Sequence, residues 1–145
     1  MDVVSVQPGK AWESRFANMC REKGIWVQKM PSGSVFDLIC NGHRVQCKQT
    51  NYIEKQGANY RRIRLARGSG CSASRNYMPG EFDFFAVLFL GDVYVMPAEN
   101  IGIKNGRLLR RLSIPRLASY KDRFDLLRNP IAPRPDVQLE FFGRE

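Results

Sequence analysis

The stretch that decides the fold is FDLICNGHRVQCKQT, residues 36–50. At its centre, Asn41-Gly42 is the signature of a two-residue type I′ turn, which needs φ > 0 at both central positions. β-like segments flank it at 35–40 and 43–49. A two-residue loop pairs Cys40 with His43. That register sets Asp37 directly opposite Gln46, with Lys48 two residues on and on the same face. Directly opposed Cβ atoms lie ~4.5–5.5 Å apart. The reverse face carries Phe36, Leu38, Cys40, Val45 and Cys47. A carboxylate, an amide and an ammonium are therefore expected on one side of the hairpin and the apolar set on the other.

Such a polar trio is either a cross-strand ion pair on a solvated sheet face or a reactive site. A carboxylate and an amide oxygen are hard ligands that suit Mg²⁺, with Mn²⁺ able to substitute, and a neighbouring lysine can stabilise charge on a phosphorane. These are the parts that metal-assisted phosphodiester cleavage needs.

Outward from the hairpin, Trp12, Phe16, Met19 and Cys20 recur with helical period, which predicts a helix over 10–23 stopped by Gly24. A short strand is expected over 25–30 and a loop over 51–59. Residues 60–66 alternate, with Ile63 and Leu65 on one face and Arg62 and Arg64 on the other. Residues 67–80, rich in Gly and Ser, read as a mobile loop. The apolar run at 82–90 reads as a central strand covered on both faces, turned at Gly91-Asp92 into a second strand over 93–96. Tyr120, Phe124 and Leu127 predict a second helix over 117–128. Prolines 130, 133 and 135 make the tail extended. The expected organisation is one domain over 1–128 and a Pro-rich tail over 129–145.

The motif FDLICNGHRVQCKQT resembles the core of the PD-(D/E)XK nuclease superfamily: an Asp on one strand, a short hairpin, then acid-x-Lys on the next. It is most similar to the branch of group I intron-associated homing endonucleases and Holliday junction resolvases. GEFDFFAVLFLGDVYVMP, residues 80–97, resembles the same branch, and Glu13 supplies its helix-borne acid. The resemblance spans about 10–128. It implies an α/β fold, a single restriction-endonuclease-like domain whose mixed central sheet is flanked by helices. It also implies a Mg²⁺-dependent endonuclease acting on duplex or branched DNA. Carried onto this chain, Asp37 is the main metal ligand and Gln46 the second. The Cys47 carbonyl adds a third oxygen, Glu13 is a further ligand or acts through a water, and Lys48 assists the nucleophilic water; Gln49, just past the motif and off the Asp37 face, is a candidate substrate contact. Phe36 stands where the family has its name-giving Pro. Gln46 stands where it has Glu or Asp, so one charge is missing, and a degenerate binder of the same fold is the alternative. Asp83 is expected to support the site or the strand edge.

Composition agrees with a polyanionic partner. Lys plus Arg number 23 against 14 Asp plus Glu, a net charge of +9, which disfavours an acidic calcium buffer and favours nucleic acid or, less often, a membrane surface. Arg61, Arg62, Arg64, Arg67 and Arg75, with Lys55 and Tyr60, form one candidate phosphate surface. Lys104, Arg107, Arg110, Arg111 and Arg116 form another, suited to DNA or to an oligomer interface. Because two strands must be cut, a homodimer or higher symmetric oligomer is expected, and Leu139, Phe141 and Phe142 are candidates to dock on a neighbouring subunit or fold back. The apolar runs are too short for the ~20 residues of a membrane span. Four cysteines without a CxxC pair read as reduced thiols, so a cytoplasmic location is expected. Cys40, His43, Cys47 and distant Cys71 leave a zinc-bearing RNA-binding protein as a third reading.

Overall fold

The computed structural model describes residues 8–56, 60–65 and 77–131. The first element, α1 (Pro8–Glu22), buries Trp12, Phe16, Ala17 and Cys20 along one stripe. It ends where Gly24, at φ +80°, turns the chain back and the Ile25 N–H closes on the Cys20 carbonyl at 2.9 Å. The central sheet follows: β1 (Val27–Lys29), β2 (Leu38–Cys40), β3 (His43–Thr50) and, later, β6 (Phe84–Phe89) and β7 (Asp92–Pro97). Their order is β1-β2-β3-β6-β7. All neighbours are antiparallel except β3 and β6, which run parallel from Val45↔Phe84 to Thr50↔Phe89. The sheet is mixed, as expected.

Asn41 and Gly42 both take positive φ, 51° and 88°, and Cys40 pairs with His43, Ile39 with Arg44 and Leu38 with Val45. The predicted register therefore holds up to Leu38. One step further it changes. The Asp37 N–H also donates to the Val45 carbonyl, at 3.0 Å, so Asp37 and Leu38 both stand against Val45 in a β-bulge. Phe36 is thereby thrown to the opposite face from Leu38 and Cys40. It packs with Ile39 rather than with the apolar set predicted for it.

One face of the central sheet is covered by α1. Trp12, Phe16 and Cys20 meet Leu38, Cys40, Val45, Ala86 and Val95 there. The Trp12 indole donates to the Ala86 carbonyl at 3.0 Å, an approach that the small Ala86 side chain permits. The other face is covered by a second, antiparallel sheet, joined there by Leu117 and Ile101 from short helical segments. It consists of β4 (Glu54–Gln56), β5 (Tyr60–Arg64) and β10 (Arg111–Ser113), in the order β10-β5-β4. Ile63, Leu65 and Leu112 face Phe85, Val87 and Phe89 there, all buried. The loop expected over 51–59 thus contains a strand. Its residues are polar because only the inner face of a three-stranded sheet on a core needs apolar side chains. A two-stranded hairpin, β8 (Ile103–Lys104) and β9 (Arg107–Leu108), turns on Asn105-Gly106, both at positive φ.

The helix expected over 117–128 does not form. α2 spans only Ile114–Ala118, and a 3-10 turn covers Phe124–Leu127. Between them the backbone is spent on the sheet. Val95 N–H donates to Tyr120 O at 3.0 Å and Asp122 N–H to Val93 O at 2.8 Å, with Asp122 at φ 56°. The open edge of β7 thus draws the chain out of helical geometry while Phe124 and Leu127 still reach the core. Tyr77, expected in the mobile loop, is 4% exposed and wedged edge-on against Phe82 and Phe85. Of that loop, residues 67–76, with Arg67, Cys71 and Arg75, lie outside the described residues, as do 132–145 of the tail. Among the described residues no helix is long and apolar enough to cross a membrane.

The turn can be tested directly. A Cβ on Gly42 would come within 2.4 Å of the Ile131 carbonyl oxygen, whereas one on Gly33, also at positive φ, meets nothing within 4 Å. Both substitutions to Ala pay the left-handed backbone penalty of about 1 kcal/mol. Gly42→Ala is expected to cost at least about 1 kcal/mol more than Gly33→Ala in urea unfolding, because a packed backbone must also shift.

Candidate functional site

The bulge places Asp37 at the rim where the two faces of the sheet meet. Its Oδ2 accepts the Cys47 N–H at 2.9 Å, and its carbonyl accepts the Met30 N–H at 3.0 Å. From the helix side, the Glu13 carboxyl hydrogen-bonds the Asp37 carboxylate. From the other side come Gln46 and Lys48, which alternate with Val45 and Cys47 along β3. Asp37, Gln46 and Lys48 line one open cleft of about 340 Å³ together with Gly33, Ser34, Val35 and Tyr77. The trio predicted from the hairpin is therefore assembled, and Glu13 joins it through Asp37.

Two carboxyl groups this close cannot both ionise freely. Burial pushes Glu13 up, the neighbouring Asp37 charge pushes it further, and Lys10 and Lys29 oppose the rise. Burial also raises Asp37, against the Cys47 N–H, the Glu13 hydrogen bond, Lys48 and Lys10, which all favour its charge. The two carboxyl groups titrate as a pair, and burial raises both above the ordinary carboxylate range. Burial, foremost, and the two carboxylates hold the Cys47 thiol well above the ordinary range.

Gln46 presents the least ordinary atom in the cleft. Its Oε1 is fully buried and has no hydrogen-bond partner among the described residues. A buried carbonyl left unpaired costs about 1–3 kcal/mol, so such an atom calls for a partner. Lys48 lies with Nζ 5.3 Å from the centroid of the Tyr77 ring. Sequence reading missed Tyr77 here, because a tyrosine between a Gly/Ser run and Pro79-Gly80 carries no periodic signal. Among the described residues, no group of three or more His, Cys, Asp or Glu side chains is placed to hold a metal ion. A cation in this cleft would need oxygen from Gln46, the backbone and water besides the carboxyl pair.

The other candidates are scattered around this centre. Gln49 is exposed on the Val45–Cys47 side of β3, away from the cleft. Asp83 locks the parallel seam: its carboxylate takes the Arg44 N–H at 2.8 Å and the Arg44 guanidinium at 3.2 and 3.3 Å. Arg61, Arg62 and Arg64 lie on β5, on the side of the central sheet that also holds Tyr77. Arg61 is exposed, Arg62 is 3.9 Å from Glu54, and Arg111 pairs with the same Glu54. His43 is engaged by the Asn129 carbonyl at 2.9 Å and stacks edge-on to Phe84. Cys40 is buried beside Cys20 on the α1 side.

The carboxyl pair predicts a pH dependence. Both folded-state pKa values lie above the ordinary values of 4.5 for Glu and 3.8 for Asp. The folded chain therefore binds more protons than the unfolded one just above those values, and stability falls as pH rises through that window. Asp37→Asn keeps an acceptor for the Cys47 N–H and removes the repulsion. In EDTA, its thermal midpoint at pH 7 is expected to exceed that of the wild type, and the fall with pH should flatten. A midpoint below the wild type at pH 7 would contradict a carboxyl pair raised by burial and mutual repulsion.

No family model matches this chain, and no curated protein matches it. Among solved structures, the chain is similar to a bacterial homing endonuclease, I-Ssp6803I. The two superpose with a TM-score of 0.58 over 94% of this chain and 95% of that one, at 16% sequence identity. At that identity the likeness is one of fold alone.

Proposed function

We propose that this chain is a divalent-metal-dependent DNA endonuclease of the PD-(D/E)XK type, acting on duplex DNA or a DNA junction. The observation that carries the reading is the buried, unpartnered Gln46 Oε1 in the same cleft as the Asp37 carboxylate and Lys48. An orphaned hard oxygen beside a carboxylate fits Mg²⁺, which takes one or two carboxylates and keeps several waters. Asp37 and Gln46 would hold the ion, with Glu13 and the Cys47 carbonyl as further oxygens and Mn²⁺ as a substitute. The bound ion supplies a polarised phosphate and a more acidic water. Lys48 donates to the attacking water or to the phosphorane oxygen on which charge develops. The Glu13–Asp37 pair takes up or releases a proton as the cleft fills. Arg61, Arg62 and Arg64 contact backbone phosphates on the second sheet, with Arg67 and Arg75 as further contacts. The similarity of fold to a homing endonuclease supports duplex DNA as substrate. Cutting both strands asks for two such sites, so a homodimer or higher symmetric assembly follows.

The second reading, a DNA-binding module without cleavage, is favoured by one observation: Gln46 brings oxygen but no charge, which weakens metal binding. A single experiment separates them. Supercoiled plasmid, a library of cloned random duplexes and a four-way junction are incubated with Mg²⁺, Mn²⁺ or EDTA. Divalent-dependent cutting by the wild type is expected to drop at least about 100-fold in Asp37→Ala and Lys48→Ala. Gln46→Glu, which restores the charge, is expected to cut at lower Mg²⁺. Salt-sensitive binding with no product on any substrate would establish the binder.

A further inference from the structure

Basic side chains also stand on the far side of the carboxyl pair from Lys48. Lys10 lies one helical turn before Glu13 on α1, on a first turn that holds no acidic residue. Lys29 lies on β1, paired with Leu38, the residue after Asp37. Its Nζ donates to the Ser14 hydroxyl at 2.7 Å, which fixes the ammonium beside Glu13. Both lysines are exposed. An ammonium has three donors, and the bond to Ser14 uses one. Lys10, Lys29 and Lys48 thus bring three positive charges around two carboxyl groups, so positive charge is in excess even when both are ionised.

We propose that Lys10 and Lys29 form a second phosphate-binding site, which takes backbone phosphates of the DNA strand where it leaves the cleft on the α1 side. This rests on the reading that DNA crosses the Asp37 cleft. It adds a direction: the strand runs from the arginine-bearing sheet, past Lys48 and the carboxyl pair, to the edge strand β1. Lysines are point charges without base readout, so this site anchors the strand irrespective of sequence. The competing account is that the two lysines only neutralise Glu13 and Asp37.

The test measures binding without cleavage. Fluorescence anisotropy of short labelled duplexes of unrelated sequence is followed across a salt series in EDTA, for wild type, Lys10→Gln, Lys29→Gln and the double variant. Lys121→Gln is the control. Lys121 pairs with Asp92 at 3.6 Å beside β7, at the opposite edge of the five-stranded sheet, and its loss changes net charge equally. The slope of log affinity against log salt is expected to shrink by about 0.9 for each lysine removed from the site. Affinity should fall alike on every duplex, and Lys121→Gln should leave the slope unchanged. An unchanged slope in the double variant, or an equal loss in Lys121→Gln, overturns the proposal. If the slopes behave as expected but Mg²⁺ yields no product, the cleavage reading fails and the phosphate site stands.

Discussion

Two consecutive residues at positive φ, Asn41 and Gly42, fix how β2 lies on β3, and the rest of the molecule is arranged around that pairing. The turn is also held from outside. The Asn41 side chain donates to the Leu127 and Arg128 carbonyls, its carbonyl accepts the Ile131 N–H, and its Oδ1 accepts the Trp26 N–H. One side chain thereby ties β1, the hairpin and the end of the described chain together. A slip of one residue would exchange the faces of β3. Val45 would lose its place under α1, and Gln46 and Lys48 would be driven into the helix side.

The bulge at Asp37 sets the geometry of the cleft. A regular strand would have set the carboxylate squarely on the face of Gln46 and Lys48. The extra residue moves it to the rim, where it meets Glu13 from the helix layer and the Cys47 N–H from the strand beside it. Groups from both faces of the sheet therefore converge on one carboxylate. The neighbouring packing is stiff. Tyr77, Phe82 and Phe85 pack edge to face beneath Lys48 with centroids 4.9 to 5.9 Å apart, and the Asp83–Arg44 pair holds the parallel seam just below. A bulge re-aims a side chain in this manner, and the buried Gln46 oxygen without a partner lines the same cleft.

Much of this was legible in the sequence because it depends on local rules. Asn-Gly specifies its turn by backbone sterics. The apolar stripe of α1 and the unbroken apolar run of β6 follow from which faces must be dry. The side of β3 on which Gln46 and Lys48 stand follows from a period of two. The same rule was available at Asn105-Gly106, where a second hairpin turns between β8 and β9. The helix expected around Tyr120 failed because helical spacing reports only which side chains seek the core. It does not report that an unpaired strand edge nearby will claim the backbone.

The sequence by itself therefore determined the hairpin, its register from Leu38 to Val45, the buried centre of the sheet and the types of side chain in the cleft, since each is set by residues close together in the chain. Tertiary structure alone decided the bulge, the meeting of Glu13 with Asp37, the place of Tyr77 under Lys48 and the second sheet on the other face. It also set Lys29 beside Ser14. Each of these depends on contacts between segments far apart in sequence, whose free energies emerge only when the layers pack and every backbone donor must find an acceptor.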